Sequence, residues 1–188
     1  MKQPVIVRNT RIGDGIPKIC VPIVEKDFPS ILTAARNLKS SCPDLAEWRC
    51  DHFDQAEEPE AAVRVLQALH EILEDIPILF TFRTKAEGGE KEIAAASYER
   101  LNCQVAASGL ADLIDVELFT GDDTVRSILA AAHRANVPVV ASNHHFHETP
   151  AQETLLEILT KMDQMGADIL KIAVMPQSRK DVLTLLSA

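Results

Sequence analysis

The chain has 188 residues, of which 46% are hydrophobic and 25% are charged, a composition typical of one ordinary globular domain with a sizeable core. Its formal net charge is -9 at pH 7, which opposes the attraction to phosphates on which non-specific nucleic-acid binding depends. No run reaches the roughly 18 apolar residues that a membrane span needs. We therefore expect neither a nucleic-acid partner nor a membrane partner.

Four widely spaced cysteines bear on the compartment. They contain no C-x-x-C pair, and the N-terminus lacks the basic and apolar regions of a secretory signal. Such cysteines are typical of reduced thiols, so we expect a cytoplasmic protein. The four are Cys20, Cys42, Cys50 and Cys103.

The N-terminal segment, residues 1–17, is predicted to form a β-hairpin. A short strand at residues 5–7 is followed by a turn at 13–15, where two glycines flank an aspartate, and by a second extended stretch. The hairpin comes before the repeating part of the chain.

Six short apolar runs follow, and each precedes a longer stretch of helical character. Strands that alternate with helices indicate a parallel sheet. The first run lacks the glycine-rich fingerprint of nucleotide-binding open sheets, which favours a closed barrel. We predict an α/β fold of the TIM (β/α)8 type, with residues 1–188 as one incomplete barrel domain containing the hairpin and about six βα units. The runs are residues 19–24, 45–48, 78–82, 113–118, 137–141 and 169–174.

Two helix starts carry specific capping signals. Thr149 followed by Pro150 predicts an N-cap and a proline at the first position of the fifth helix, with Gln152 completing a capping box. Ser178 and Asp181 repeat the capping pattern at the sixth helix.

Charged side chains recur on one parity near the ends of the predicted strands. In a parallel barrel this edge carries the active site, and burial of so many charges is costly unless they pair or take part in chemistry. We therefore expect one charged cluster at the barrel mouth. Its predicted members are Glu47, Arg49, Asp51, Arg83, Asp115, Glu117, His144 and Lys171.

Lys171 stands among apolar residues of the sixth run, where partial desolvation favours the neutral amine, a nucleophile toward ketones. The alternative is a structural lysine that pairs with Glu117 or extends to solvent. His144 can exchange protons near neutral pH, or it can simply bond to backbone.

A metal site is a second interpretation. His144 and His147 could approach one ion within a turn, and Asp51, Asp115 and Glu117 could add carboxylates. The enzyme would then be a metal-dependent barrel hydrolase or epimerase. Residues 87–90, with two acids around two glycines, are interpreted as a flexible loop, because acids suit a phosphate cradle poorly.

Five motifs occur in order, each at its own predicted strand end, and with them the sequence resembles the type I 3-dehydroquinate dehydratases along its whole length. The segments are long and specific. They are Glu-Trp-Arg-Cys-Asp at 47–51, Phe-Thr-Phe-Arg at 80–83 with Glu-Gly-Gly-Glu at 87–90, Asp-Val-Glu-Leu-Phe at 115–119, Ser-Asn-His at 142–144, and Lys-Ile-Ala-Val-Met-Pro-Gln at 171–177.

The resemblance implies a lyase of the shikimate pathway, in aromatic amino acid biosynthesis, that converts 3-dehydroquinate to 3-dehydroshikimate. Lys171 would form a Schiff base with the substrate ketone, and His144 would act as general base and then as general acid. Glu87 would orient the histidine. No metal or organic cofactor is implied, and we expect a homodimer. The groups that would hold the substrate are Glu47, Arg49 and Arg83.

Three departures from the family pattern accompany the resemblance. His145 stands where an acid is common, and Leu170 where a proline is often found. The family has roughly eight βα units, whereas this sequence ends within the predicted sixth helix. We accordingly expect a chain truncated at its C-terminus, with weak or no turnover on its own, and we keep a non-catalytic fragment as an alternative.

Overall fold

A short antiparallel hairpin opens the computed structural model, which describes residues 3–188. Its strands are β1 (Val5–Val7) and β2 (Thr10–Ile12). The predicted turn at 13–15 is wrong: the strands are joined at residues 8–9, where Arg8 has the positive φ of 49° that tight hairpin turns require. Arg8 holds this conformation while its Nε donates to Asp112 at 2.7 Å. Residues 1 and 2 of the predicted hairpin lie outside the described residues.

Six parallel strands follow, and they confirm the predicted α/β fold of TIM-barrel type. The strands are neighbours in chain order within one sheet, and every connection contains a helix. Within the described residues, no helix has the length and apolarity to cross a bilayer. The elements are β3 (Cys20–Ile23), α1 (Phe28–Ser40), β4 (Leu45–Arg49), α2 (Pro59–Leu73), β5 (Ile78–Thr81), α3 (Ala95–Ser108), β6 (Leu113–Glu117), α4 (Asp122–Arg134), β7 (Val139–His145), α5 (Gln152–Gln164), β8 (Ile169–Val174) and α6 (Arg179–Ser187).

Of the two predicted helix starts, one is confirmed and one is wrong. Ser178 and Asp181 form a capping box at the start of α6. Helix α5 begins at Gln152, with Ala151 as its N-cap, so Pro150 lies outside the helix. The Thr149 hydroxyl is buried without a hydrogen-bond partner and therefore caps nothing.

The core has two layers. The larger one lies between the sheet and the helices, and Trp48, Phe80 and Leu66 are fully buried there. In the smaller layer, Val7 and Ile12 of the hairpin pack against residues that begin the barrel strands, namely Leu45, Leu79, Leu113, Val140 and Ile169. The hairpin therefore covers the N-terminal ends of the strands and leaves the opposite ends for the site.

The strand starts are joined by a repeated contact that we call the aspartate clasp. An aspartate just before an even-numbered strand donates its N–H to the carbonyl of a residue that begins the preceding strand or comes immediately before it, and its Oδ2 accepts the N–H of that same residue at 2.8 Å. The clasp fixes the register of two neighbouring strands. The pairs are Asp44 with Ile19, Asp112 with Ile78, and Asp168 with Val139.

Candidate active site

The carboxyl ends of β4 to β8 bring the predicted charged residues together. Ser142 of β7 lies opposite Lys171 of β8, and His144 lies opposite Ala173. Because strand side chains alternate with period two, Ser142, His144 and Lys171 share one face of the sheet. Glu117 lies opposite Ser142 in the other direction, so the same face continues across β6.

Arg83 is the centre of this cluster. Its side chain is 4% exposed, its Nη1 donates to Glu117 and to Ser142 at 2.9 Å, and its Nη2 donates to Asp115 at 2.7 Å. Burial opposes the charge, but Asp115 and Glu117 raise the pKa of the guanidinium above its ordinary value. Three of the five guanidinium N–H groups are used in these bonds, and so few donors are left for a substrate.

The two carboxylates of β6 titrate in opposite directions. Burial raises the pKa of Asp115, yet the cations of Arg83 and Lys171 lower it more, so it falls below its ordinary value. Burial also raises the pKa of Glu117, and there it exceeds the effect of the Thr84 hydrogen bonds and of Arg83. Asp115 is therefore the firmly ionised member of the pair.

His144 is held by Glu87, which lies in a short 3₁₀ helix (Lys85–Glu87) after β5. Glu87 Oε2 lies 2.8 Å from His144 Nδ1, and Oε1 accepts from Asn143 Nδ2 at 3.2 Å. This contact leaves the Nε2 nitrogen of His144 for proton exchange with a bound molecule. Asn143 was not predicted, because its side chain has the opposite parity to that of His144.

Asp51 anchors the loop that carries Glu87. Its carboxylate accepts two bonds of 2.7 Å from Arg49 and also accepts the backbone N–H groups of Arg83 and Glu90 at 3.2 and 3.1 Å. Burial raises its pKa, but the Arg49 bonds lower it more, and the net direction is down. An ionised Asp51 thus connects β4 to both ends of the loop.

The predicted flexible loop at 87–90 is instead tightly placed. A Cβ on Gly89 would lie 1.9 Å from the Arg83 carbonyl oxygen, so only glycine fits there. Gly88 adopts a positive φ of 79°. Lys91 adds a contact from its ammonium group to the Phe53 carbonyl, which ties the end of the loop to the residue that follows the short 3₁₀ helix Cys50–His52 after β4.

Lys171 lies at the mouth of the cluster with its side chain 36% exposed, which leaves the amine accessible to a small molecule. Its Nζ is 3.6 Å from Asp115 Oδ2. The predicted alternative partner, Glu117, is wrong: the ion-pair partner of Lys171 is Asp115, and the Glu117 carboxylate bonds Arg83 and Thr84. Cys20 of β3 is an exposed residue, but partial desolvation of its sulfur and the Glu47 carboxylate raise the pKa of the thiol to about 12, so this thiol stays protonated at neutral pH.

The three predicted substrate-holding residues differ in how free they are. Glu47 accepts a hydrogen bond from Thr81 at 2.8 Å through one carboxylate oxygen, which leaves its second oxygen for a substrate. Arg49 is partly exposed and is oriented by Asp51, and Arg83 is almost wholly buried. Their substrate contacts stay a prediction, in which Glu47 and Arg49 are the more accessible groups.

A cavity of about 520 Å³ lies beside the His144–Glu87 pair, bounded by Glu92, Phe119 and Thr120 among others. Lys171 is not among the residues that line it. Across residues 3–188, no three His, Cys, Asp or Glu side chains are arranged to hold one metal ion. This arrangement gives no support to the metal interpretation.

Comparison with known proteins adds independent findings. Residues 19–188 match the family described as Type I 3-dehydroquinase. The chain is 48% identical over 188 residues to the 3-dehydroquinate dehydratase of Clostridioides difficile (strain 630) and 49% identical to that of Clostridium botulinum (strain Eklund 17B / Type B). It covers 74% of the length of each.

Solved structures agree with the sequence matches. The type I 3-dehydroquinate dehydratase of Clostridium difficile, with covalently modified comenic acid, superposes with a TM-score of 0.96 over 100% of this chain and 74% of that one, at 48% identity. The 3-dehydroquinate dehydratase of Geobacillus kaustophilus gives 0.95 over 98% of this chain and 72% of that one, at 38% identity. Since the family match spans nearly the whole chain and the relatives are almost half identical to it, the chain belongs to the type I 3-dehydroquinase family.

Proposed function

We propose that this chain is a 3-dehydroquinate dehydratase, a carbon–oxygen lyase of the shikimate pathway that acts through a Schiff base on Lys171. The observation that carries the proposal is the placement of an accessible amine and a carboxylate-held imidazole on one face of adjacent strands. The activity named for the relatives supports the substrate, 3-dehydroquinate.

The amine comes first in the reaction. The nitrogen lone pair of Lys171 adds to the C3 carbonyl of 3-dehydroquinate, and loss of the carbonyl oxygen as water leaves a protonated imine. The imine draws electrons from C2, whose hydrogens become acidic. No metal or organic cofactor is needed for this step, because the protonated imine is itself the electron sink.

His144 then transfers the protons. Its Nε2 takes a C2 proton, and the C–H electron pair forms an enamine whose nitrogen is neutral. The C1–O bond breaks as the enamine pair returns, and the imidazolium gives its proton to the departing hydroxyl, which leaves as water. Hydrolysis of the new imine consumes one water, releases 3-dehydroshikimate and restores the Lys171 amine.

The remaining site residues orient these groups. Glu87 holds Nδ1 of His144 and so selects the nitrogen that exchanges protons. Glu47, Arg49 and Arg83 are proposed to position the substrate hydroxyls, with Asp51 aligning Arg49. Groups that are already held in place lose less entropy when they bind and orient the substrate.

The cytoplasm is the proposed compartment, and a homodimer the proposed assembly. All four cysteines are free of disulfides, and the formal charge of -9 suits a small-molecule enzyme more than a nucleic-acid binder. Light scattering on the purified protein measures the assembly, and the mass of one chain would contradict the dimer.

Borohydride trapping tests the proposal. The protein is incubated with 3-dehydroquinate and sodium borohydride, and the modified peptide is found by mass spectrometry. We expect one substrate-derived adduct on Lys171, because reduction makes the imine permanent. Lys171→Ala should abolish it, whereas Lys161→Ala, which removes a surface lysine paired with Asp122, should keep it. A label on another lysine, or none on the unsubstituted protein, would contradict the assignment.

A further inference from the structure

We propose that Asp115 is the counterion of the Lys171 nitrogen during the reaction, first for the ammonium and then for the protonated imine. The proposal rests on the imine chemistry above and adds to it the group that stabilises the positive charge. Nothing in the implied roles of Lys171, His144 and Glu87 supplies that group.

The two oxygens of Asp115 have different environments. Oδ1 accepts hydrogen bonds from Arg83 and Ser142, both at 2.7 Å. Oδ2 is buried without a hydrogen-bond partner among the described residues, and it faces Lys171 Nζ at 3.6 Å. Such an unsatisfied buried oxygen calls for an explanation. Here the distance is slightly too long for a hydrogen bond, so a small movement of the nitrogen would complete one.

The side chain of Asp115 is fixed in place before any substrate arrives. It is wholly buried, and its two bonds through Oδ1 come from Arg83, just after β5, and from Ser142 of β7, on either side of its own strand. The aspartate therefore cannot follow the lysine, and Lys171 must move to it. A preorganised charge of this kind needs no rearrangement at the moment of reaction.

The other ionisable groups around this pair are already engaged or neutral. Glu117, on the same strand, is bonded to Arg83 and Thr84. From β7, His144 is held by Glu87, and from β3 the Cys20 thiol is protonated. Glu47 of β4 accepts from Thr81 through one oxygen, and its other oxygen makes no ion pair with Lys171 in the described residues. Within the described part of the chain, Asp115 is thus the carboxylate that lies within 4.0 Å of the lysine nitrogen.

The proposed reaction places a positive charge on this nitrogen twice. The protonated imine carries it, the enamine loses it when the C2 proton leaves, and the conjugated imine regains it when the C1 hydroxyl departs. A nearby anion favours the protonated form in each case.

Asp115→Asn tests the counterion through pH dependence. The amide keeps the size and removes the charge, so the protonated imine should lose its proton at lower pH. We expect the alkaline limit of borohydride labelling and of turnover to move down by about one pH unit or more. Turnover on the alkaline side should fall by about tenfold or more.

Glu117→Gln is the matched control. It removes a buried carboxylate from the same strand, and that carboxylate also bonds Arg83, but it does not contact Lys171. It should lower the amount of labelling or turnover without moving the alkaline limit. If both variants lose amplitude with an unchanged pH profile, Asp115 has a structural role and the proposal is wrong. Circular dichroism of both variants checks that they are folded.

A second measurement needs no variant. In a crystal structure of the borohydride-trapped adduct of the unsubstituted protein, Lys171 Nζ should lie about 3 Å from Asp115 Oδ2. A separation beyond about 4.5 Å would overturn the counterion even if Asp115→Asn does not fold. Absence of any adduct contradicts the proposed function itself, whereas an adduct with its nitrogen far from Asp115 contradicts this inference alone.

Discussion

His144 Nδ1 lies 2.8 Å from Glu87 Oε2, and each side chain is only 10% exposed. A buried carboxylate at this distance fixes the ring orientation and stabilises the imidazolium that forms when Nε2 accepts a proton. The pair therefore acts as one unit, and we expect the effect of a Glu87 substitution on turnover to depend on the presence of His144.

In a complete active site, His144→Ala should lower turnover by about 10²-fold or more, the usual effect of losing a positioned acid or base. Imine formation belongs to Lys171, so borohydride labelling should survive. His147→Ala, in an exposed histidine three residues on, is the control and should keep near-normal turnover. Loss of labelling together with turnover would instead assign His144 to substrate binding.

Glu87→Gln should also lower turnover, because the amide cannot stabilise an imidazolium. The decisive comparison is the double variant Glu87→Gln with His144→Ala. If Glu87 acts through His144, the double variant should turn over at nearly the rate of His144→Ala alone. If the loss of turnover in the double variant instead equals the product of the two single losses, Glu87 acts on the substrate independently of His144.

Asp51→Asn should destabilise the fold in a pH-dependent way. Arg49 holds the pKa of Asp51 below the ordinary value of 3.8, so its ionised form contributes stability above that value and loses it as pH falls through the folded-state pKa. In urea unfolding at pH 7, the free energy should drop by about 1 to 3 kcal/mol. The difference from the unsubstituted protein should shrink below about pH 4.

The control for Asp51 is Asp54→Asn, in an exposed aspartate three residues on. It should change stability by less than about 0.5 kcal/mol, as is usual for surface substitutions. If the loss of unfolding free energy in Asp51→Asn stays the same down to acid pH, the charge of Asp51 contributes nothing to stability.

Gly89→Ala should impair both stability and turnover, because its Cβ would collide with the Arg83 carbonyl and displace the loop that carries Glu87. Gly109→Ala is a useful comparison. It pays about 1 kcal/mol for a positive φ of 67° but meets no neighbouring atom within 4 Å. Thermal unfolding should show losses in both variants, and assays should show lost turnover in Gly89→Ala alone.

Chelation distinguishes the imine from the metal interpretation. Turnover should be unchanged after treatment with EDTA and dialysis, because the proposed electron sink is the protonated imine. Metal analysis of the active protein should give less than one ion per chain. Activity that disappears with EDTA and returns with zinc would favour metal chemistry.

The sequence predicts the strand-end residues well because two simple rules govern them. Side chains alternate along a strand, and parallel strands present their carboxyl ends at one edge, so Asp115, His144 and Lys171 could be placed together. The partner of Lys171 could not be predicted, since it depends on where the Arg83 guanidinium lies and which acids it occupies. The fixed conformation of the 87–90 loop could not be predicted, because the hydrogen bonds from its flanking backbone to Asp51 leave no local pattern in the sequence.

The aspartate clasps divide the barrel wall into three successive two-strand modules, β3–β4, β5–β6 and β7–β8. The residue three positions after each clasp aspartate is Glu47 in the first module, Asp115 in the second and Lys171 in the third. One position of the module thus supplies an acid twice and the reacting amine once, always on the same strand parity. The lysine and its proposed counterion are therefore equivalent positions of neighbouring modules, and a register shift in either module would separate them.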